Sequence, residues 1–204
     1  MCDIIAGMTY IIAGLGNPGE EYLNTRHNTG RLILEEIRRA FDGEELVLDK
    51  KLNALVSEIK IGRNTVKLVA PETFMNRSGK ALAPLVKSKK AAENLLVIYD
   101  DFQLPLGRMK ISFDKSAGGH NGLDSVIKAV KTTAFPRLRI GTAKANAKGQ
   151  AKLPHGNEQI EKFILGDFKP DEMKILKKLG KKAVEVVTIW VSEGREKATN
   201  IANT

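Results

Sequence analysis

The chain enters its first strand and leaves it through a glycine-rich turn in the stretch Thr9-Tyr10-Ile11-Ile12-Ala13-Gly14-Leu15-Gly16-Asn17-Pro18-Gly19. A β-branched strand that ends in a Gly/Asn/Pro turn is a common place for a functional site. His27 follows in a polar segment, before the first apolar helical stripe. Because imidazole alone titrates unaided near neutral pH, His27 is the leading candidate for proton transfer.

The same turn also matches the G-x-G-x-x-G pattern of dinucleotide-binding sites, from Gly14 to Gly19. Such a site needs a helix that opens at the loop and directs its amides at a pyrophosphate. Pro18 removes one of those amides, and the first apolar helical stripe begins only near Leu32. These two features argue against a dinucleotide-binding site. The structural alternative is a turn that binds no ligand.

Strands and amphipathic helices alternate along the rest of the chain. Apolar and β-branched runs predict strands at residues 9–13, 54–61, 65–69, 95–99, 108–113 and 138–141. Helical periodicity predicts helices at residues 31–41, 79–88, 122–130 and 171–192. Residues 54–69 form a predicted hairpin, which argues against a purely parallel sheet. We expect an α/β fold, a single domain with a mixed, mostly parallel β-sheet flanked by helices.

Composition narrows the class of protein. The chain has 204 residues and a net charge of +9, which favours a polyanionic partner. Only 5% of the residues are aromatic, so phosphate contacts are a better expectation than base stacking. The lysines of the last predicted helix form either a solvated face or a phosphate-tracking face. The segment 143–156 has no periodicity and predicts a long, mobile loop.

Several site classes are disfavoured by the same counts. The only cysteine is Cys2, which excludes an internal disulfide framework and disfavours a thiol nucleophile. The three histidines lie far apart in sequence and show no zinc spacing, so no metal is expected. No apolar run is long enough to span a membrane, and a basic leader is absent, so we expect a cytoplasmic protein. Residues 1–7 read as an N-terminal extension and residues 8–204 as the functional domain.

Four further segments carry residues that can take part in catalysis or ligand binding, and most of them also have a purely structural explanation. Asn76 lies between a strand and a helix, where it either reads a ligand or caps the helix. Asp100-Asp101 ends a buried strand, where a carboxylate can orient a histidine or bind magnesium. The turn Gly118-Gly119-His120-Asn121 opens a helix whose amides can approach an anion, or Asn121 simply caps it. Arg137 and Arg139 alternate beside a strand.

Taken in order, these segments resemble the bacterial-type peptidyl-tRNA hydrolases. The resemblance runs from about Met8 to the C-terminus. The matching pieces are Gly14-Leu15-Gly16-Asn17-Pro18-Gly19, Tyr22, Thr25-Arg26-His27-Asn28, Thr73-Phe74-Met75-Asn76-Arg77-Ser78-Gly79, Asp100-Asp101-Phe102-Gln103-Leu104-Pro105, Gly118-Gly119-His120-Asn121-Gly122-Leu123, Arg137-Leu138-Arg139-Ile140-Gly141, Phe163-Ile164-Leu165-Gly166, and Trp190, Gly194 and Lys197-Ala198-Thr199-Asn200.

The resemblance implies a single-domain α/β hydrolase that acts on peptidyl-tRNA as a cytoplasmic monomer, with no cofactor and no metal ion. Cleavage of the ester between the peptide and the 3′ ribose would recycle tRNA from prematurely released peptidyl-tRNA. The resemblance assigns catalysis to His27 and Asp100, and contacts with tRNA phosphates to Lys110 and Arg139. It places the substrate-binding residues at Asn17, Tyr22, Met75, Asn76 and Asn121.

The chain departs from the family pattern at two places. Ser112 stands where family members often carry a lysine, so the phosphate grip is expected to be weaker or shifted toward Lys115. The family's Gly and Pro after Gly141 are replaced by Thr142-Ala143-Lys144, which alters one edge of the cleft. Two rival functions stay open: an RNA-binding protein on the same scaffold, as in related plant splicing factors, and a nucleotide-dependent enzyme.

Overall fold

One β-sheet organises the part of the chain that the computed structural model describes, residues 7–204. Its seven strands are β1 (Thr9–Gly14), β2 (Val47–Asp49), β3 (Ala54–Ile61), β4 (Asn64–Pro71), β5 (Leu95–Pro105), β6 (Met109–Phe113) and β7 (Pro136–Ala143). Their spatial order is β2-β3-β4-β1-β5-β7-β6. The central pairs β4–β1, β1–β5 and β5–β7 are parallel, and the outer pairs are antiparallel. The expected mixed α/β sheet is confirmed, with its parallel pairings at the centre.

Helices cover both faces of this sheet. They are α1 (Thr29–Ala40), α2 (Gly79–Leu82), α3 (Lys89–Glu93), α4 (Asn121–Val130), α5 (Asn157–Ile164), α6 (Pro170–Glu193) and α7 (Arg195–Ala202). Buried side chains of α1, α6 and α7 pack on one face, and those of α2, α3 and α4 pack on the other. Within residues 7–204, no helix combines the length and the apolar character that a membrane crossing requires.

Burial on both faces explains the sequence of β1. Tyr10 and Ile12 point into one core, whereas Ile11 and Ala13 point into the other. A parallel strand covered on both sides reads as a continuous apolar run, as this one does. Trp190 of α6 packs edge-on against Tyr10, with the ring centroids 5.0 Å apart. The buried apolar face of α6, the last long helix, therefore covers the centre of the sheet.

The predicted helix 79–88 is wrong in its extent. Helix α2 ends at Leu82, and Pro84 just beyond it has no amide N–H with which to continue a helical ladder. A new helix, α3, starts after Ser88, whose hydroxyl accepts the Ala91 N–H at 3.1 Å. The short elements β2, α5 and α7 were not predicted, because each carries too few residues for a clear period.

The predicted loop, residues 143–156, begins at the last residue of β7 and ends where α5 starts at Asn157. Residues 144–156 themselves contain one isolated bridge, between Ala145 and Ala151, and no strand or helix. The predicted N-terminal extension, residues 1–7, lies outside the described residues except for Gly7.

The carboxyl ends of β1, β4 and β5 meet at one edge of the sheet, because these strands run parallel. Asn17 and Met75 follow β1 and β4, and Asp100 lies on β5 two residues beyond Ile98, the last residue paired with β1. Open α/β sheets bind ligands at this edge. The sheet topology therefore brings together three of the segments that the sequence singled out.

Candidate active site

A cleft of about 990 Å³ opens at this edge of the sheet. Eight of the nine predicted site residues line it; they are Asn17, Tyr22, His27, Met75, Asn76, Asp100, Asn121 and Arg139. The ninth, Lys110, lines a separate cavity of about 310 Å³ together with Arg108 and Lys182. The topology thus collects residues from across the chain into one concave site, which is the usual form of a small-ligand or catalytic site.

His27 lies on the floor of the cleft. It belongs to a 3-10 turn, Arg26–Asn28, that leads directly into α1, and it is 6% exposed. The polar segment that the sequence indicated is therefore buried at this residue. Gly30 permits the burial, because a Cβ there would lie 2.3 Å from the Ile98 carbonyl oxygen. The close approach of α1 to β5 sets His27 beside Asp100.

The His27 ring is hydrogen-bonded to Asp100. Nδ1 of His27 lies 2.9 Å from Oδ1 of Asp100, whose side chain is 2% exposed. Since a carboxylate can only accept, Nδ1 carries the proton and Nε2 has a free lone pair. This is the tautomer that a general base requires.

A second histidine shares the same carboxylate oxygen. Nε2 of His120 lies 3.0 Å from Oδ1 of Asp100, and its Nδ1 accepts the Leu123 N–H at 3.1 Å. The hydrogen bond from the Leu123 amide places the proton of neutral His120 on Nε2, so the ring donates to Asp100. His120 also caps α4, which means that Asn121 does not. The sequence offered one signal for His120, its position in the glycine-rich turn before a helix.

Burial and neighbouring charges shift the pKa values of Asp100 and His27 in opposite directions. Burial by itself would raise the pKa of Asp100, but the two histidines that face its carboxylate lower that pKa well below its ordinary value. Burial by itself would lower the pKa of His27, and the charge and hydrogen bond of Asp100 outweigh it, so this pKa is raised. Burial raises the pKa of Tyr99, whose ring packs edge-on against His120, to about 12. Tyr99 is therefore a neutral phenol near pH 7.

His27, Asp100 and His120 also have the donor atoms of a metal centre, and these atoms lie within 4.8 Å of one another. The sequence argument from wide histidine spacing therefore missed their proximity. A metal on Nε2 of His120 would require the proton on Nδ1, where the Leu123 N–H already donates. The hydrogen bonds thus fit a carboxylate that holds two imidazoles better than they fit a metal centre.

The orientation of the Asn17 side chain follows from its partners. Its Oδ1 accepts the Met75 N–H at 2.8 Å. Asn28 holds the Asn17 backbone from both sides: Oδ1 of Asn28 accepts the Asn17 N–H at 2.8 Å, and Nδ2 of Asn28 donates to the Asn17 carbonyl at 3.0 Å. The Asn17 Nδ2 is therefore the group left to face the cleft as a donor. Asn28 has a role here that sequence reasoning did not assign.

The other predicted substrate-binding residues form the walls of the cleft. Met75 is buried, and its sulfur would lie 2.3 Å from a Cβ at position 122, so Gly122 allows α4 to approach it closely. Tyr22 is half-buried in the 3-10 turn Glu20–Tyr22. Asn76 and Asn121 are exposed, and neither side chain hydrogen-bonds within residues 7–204. Both amides are thus available to a ligand.

The two predicted phosphate contacts are neighbours across the β6–β7 pair. Lys110 lies directly opposite Arg139 in the antiparallel register, so both side chains belong to one face of the sheet. Nε of Arg139 donates to Oδ2 of Asp101 at 2.6 Å, which fixes the guanidinium at the cleft. Ser112 and Lys115 line the same cleft. The cationic groups therefore continue from the cleft onto the adjoining surface of the sheet.

Comparison with known proteins gives one consistent family. A family model described as peptidyl-tRNA hydrolase matches residues 11–204. The peptidyl-tRNA hydrolase of Desulfitobacterium hafniense is 38% identical over 196 residues, which cover 95% of this chain and 98% of the relative. That of Aquifex aeolicus is 37% identical over 194 residues, covering 95% of each chain.

Solved structures agree with the sequence comparison. The crystal structure of peptidyl-tRNA hydrolase from Acinetobacter baumannii superposes with a TM-score of 0.85 and 29% identity. The superposition covers 96% of this chain and 95% of that one. Agreement over nearly the whole length, in sequence and in fold, shows that this chain belongs to the peptidyl-tRNA hydrolase family.

Proposed function

We propose that this chain hydrolyses the ester between the peptide and the 3′ ribose of peptidyl-tRNA, with a water activated by His27 and without a metal ion. In the cytoplasm this reaction would recycle tRNA from prematurely released peptidyl-tRNA. The observation that carries the mechanism is the hydrogen bond from His27 Nδ1 to the buried Asp100, on the floor of the cleft.

His27 acts first as a base and then as an acid. Its free Nε2 takes a proton from water while the water oxygen attacks the ester carbonyl carbon. The C–O bond to the ribose then breaks, and the departing 3′ oxygen takes the proton back from Nε2. Asp100 stabilises the imidazolium between these steps and keeps the ring in one tautomer. His120, which donates to the same oxygen, holds Asp100 in place.

Asn17 is the candidate donor to the oxyanion or to the adjacent peptide carbonyl, because its Oδ1 is occupied by the Met75 amide. Asn76 and Asn121 can both donate and accept, which suits recognition of a peptide backbone whose side chains vary. Met75 and Tyr22 supply the cleft walls beside them. An unblocked aminoacyl ester lacks the peptide bond that these amides would recognise.

Lys110 and Arg139 are proposed to contact tRNA phosphates. Their shared face and the anchoring of Arg139 by Asp101 support this role. Ser112 lies two residues after Lys110 on β6, so it shares the same face of that strand, and it lines the cleft. If Lys110 and Arg139 contact tRNA phosphates, we expect Ser112→Lys to tighten tRNA binding, as measured by filter binding. Unchanged affinity would place the phosphate contacts elsewhere.

Hydrolysis of a purified N-acylated aminoacyl-tRNA in EDTA tests the proposal. Turnover that survives chelation, and that falls roughly 10²–10⁴-fold in His27→Ala, is the expected result for a general base. Tight RNA binding without turnover would support the RNA-binding alternative, and loss of turnover on chelation would support a metal site. Unblocked aminoacyl-tRNA is the matched control substrate.

We further propose that the active unit is a monomer. The catalytic pair and the proposed substrate contacts all line one cleft of this chain. The molar mass from light scattering at the assay concentration tests this, because a dimeric mass for the active protein would contradict the proposal.

A further inference from the structure

Arg26, the residue before His27, has a buried guanidinium that bonds to three groups of a distant segment. Its Nη1 donates to the carbonyls of Gly166 and Asp167, both at 2.9 Å. Its Nη2 donates to Oε2 of Glu172 at 2.7 Å. The side chain is 9% exposed. The planar fork of an arginine can make these bonds together, whereas a lysine ammonium cannot reproduce their geometry.

Aromatic rings complete this contact. The guanidinium carbon lies 4.7 Å from the ring centroid of Phe163 and 5.3 Å from that of Phe168. The backbones of the two segments are also hydrogen-bonded. The Arg26 N–H donates to the Gly166 carbonyl at 3.1 Å, and the Phe168 N–H donates to the Asn24 carbonyl at 2.9 Å. The Thr25-Arg26 and Phe163–Gly166 motifs of the sequence therefore meet in one buried cluster, outside the catalytic group.

This cluster holds the C-terminal end of α5, which forms one wall of the cleft. The α5 residues on that wall are Asn157, Ile160, Glu161 and Ile164, with Leu165 just after them. None of residues 157–164 is buried, so α5 has no core contact of its own. Its N-terminal end continues from residues 144–156, which contain no helix or strand. The Arg26 cluster is thus the main anchor of this wall.

We propose that Arg26 is a positioning residue that fixes α5 to the segment carrying His27 and thereby holds the substrate cleft at its working width. This inference rests on the proposed function. It separates two adjacent residues by role: His27 acts on the ester, and Arg26 keeps the α5 wall of the cleft in place. Elements with few buried contacts open locally, so α5 should depend strongly on this anchor.

Arg26→Lys is the test variant, because it keeps the charge opposite Glu172 but loses the fork and the stacking. Arg39→Lys is the matched control, since Arg39 is on α1, is exposed, and pairs with Glu35. Amide hydrogen exchange is measured in peptides covering α5 and, as an internal reference, α4. The kinetic constants and the pH profile are measured with N-acylated aminoacyl-tRNA.

The expected result for Arg26→Lys is roughly tenfold faster exchange in α5 with no change in α4. KM should rise several-fold, kcat should change less, and the acid limb of the pH profile should stay in place. Arg39→Lys should match the wild type. The inference would be overturned if α5 of Arg26→Lys exchanged at the wild-type rate, if exchange in α4 increased as much as in α5, or if KM were unchanged.

Two arms separate other failures from this one. Absence of turnover in the wild type would reject the proposed function, whatever the exchange data show. If Arg26→Lys does not fold, Glu172→Gln retains the guanidinium, its two carbonyl bonds and its stacking, and should still accelerate α5 exchange selectively. Wild-type exchange in Glu172→Gln would then reject the anchor.

Discussion

Asp100→Asn is the substitution that most directly tests the proposed catalytic pair. An asparagine keeps the shape of the side chain and offers a carbonyl oxygen to the two N–H groups, of His27 and His120, that now meet on Oδ1. What it removes is the negative charge. We therefore expect a folded protein whose imidazolium has lost its buried counter-charge.

The size of the effect follows from the separation of the charges. His27 and Asp100 are in hydrogen-bond contact at 2.9 Å, and both are buried. A pair of unit charges about 4 Å apart is worth about 4 kcal/mol at an effective dielectric constant of about 20. Since about 1.4 kcal/mol is a tenfold change in rate, kcat should fall roughly 10³-fold if the imidazolium is fully formed in the transition state.

The pH profile gives a second, independent reading. His27 must be neutral to act as a base, and its pKa is raised in the folded protein, with Asp100 as the cause. Activity of the wild type is therefore lost as the pH falls through this raised pKa. Without the carboxylate charge the acid limb of kcat/KM should move to lower pH.

The assay is hydrolysis of N-acylated aminoacyl-tRNA from pH 4.5 to 9, with Asp124→Asn as the control. Asp124 is an exposed carboxylate that pairs with Lys128 on the surface of α4, so its loss should change neither kcat nor the limb. Full activity of Asp100→Asn at every pH, beside an inactive His27→Ala, would refute the pairing. A lower kcat with an unmoved limb would refute the electrostatic explanation.

Three further predictions concern the surroundings of this pair. His120→Ala should lower the free energy of unfolding by about 1 kcal/mol, because the ring caps α4; unchanged denaturant curves would contradict the cap. Asn76→Ala and Asn121→Ala should lower kcat/KM without lowering the melting temperature, since neither amide caps a helix, and the reverse pattern in paired melts and kinetics would exclude substrate contact. Lys110→Ala and Arg139→Ala should each flatten the slope of log affinity against log salt by about one, and a residue whose loss leaves the slope unchanged is not a phosphate contact.

Local patterns in the sequence were enough to predict six of the seven strands and the long helices. The continuous apolar run of β1, the hairpin of β3 and β4, and the stripe of α6 each repeat over several residues, and burial imposes that repeat directly. The order of the glycine, histidine and asparagine motifs indicated the family and eight of the residues that line the cleft. Short elements such as α5 lacked a period and were missed.

Tertiary structure alone decided which side chains share a partner. His27 and His120 both bond to Asp100 because α1 and α4 begin at the same edge of the sheet, and no spacing along the chain encodes that meeting. In the same way, the Met75 amide determines which end of the Asn17 side chain faces the cleft. Arg26 reaches the end of α5 only because the chain returns there after seven strands. Sequence carries the chemical groups and the local periods, whereas hydrogen-bond partners, tautomers and burial depend on contacts that form only when distant segments pack together.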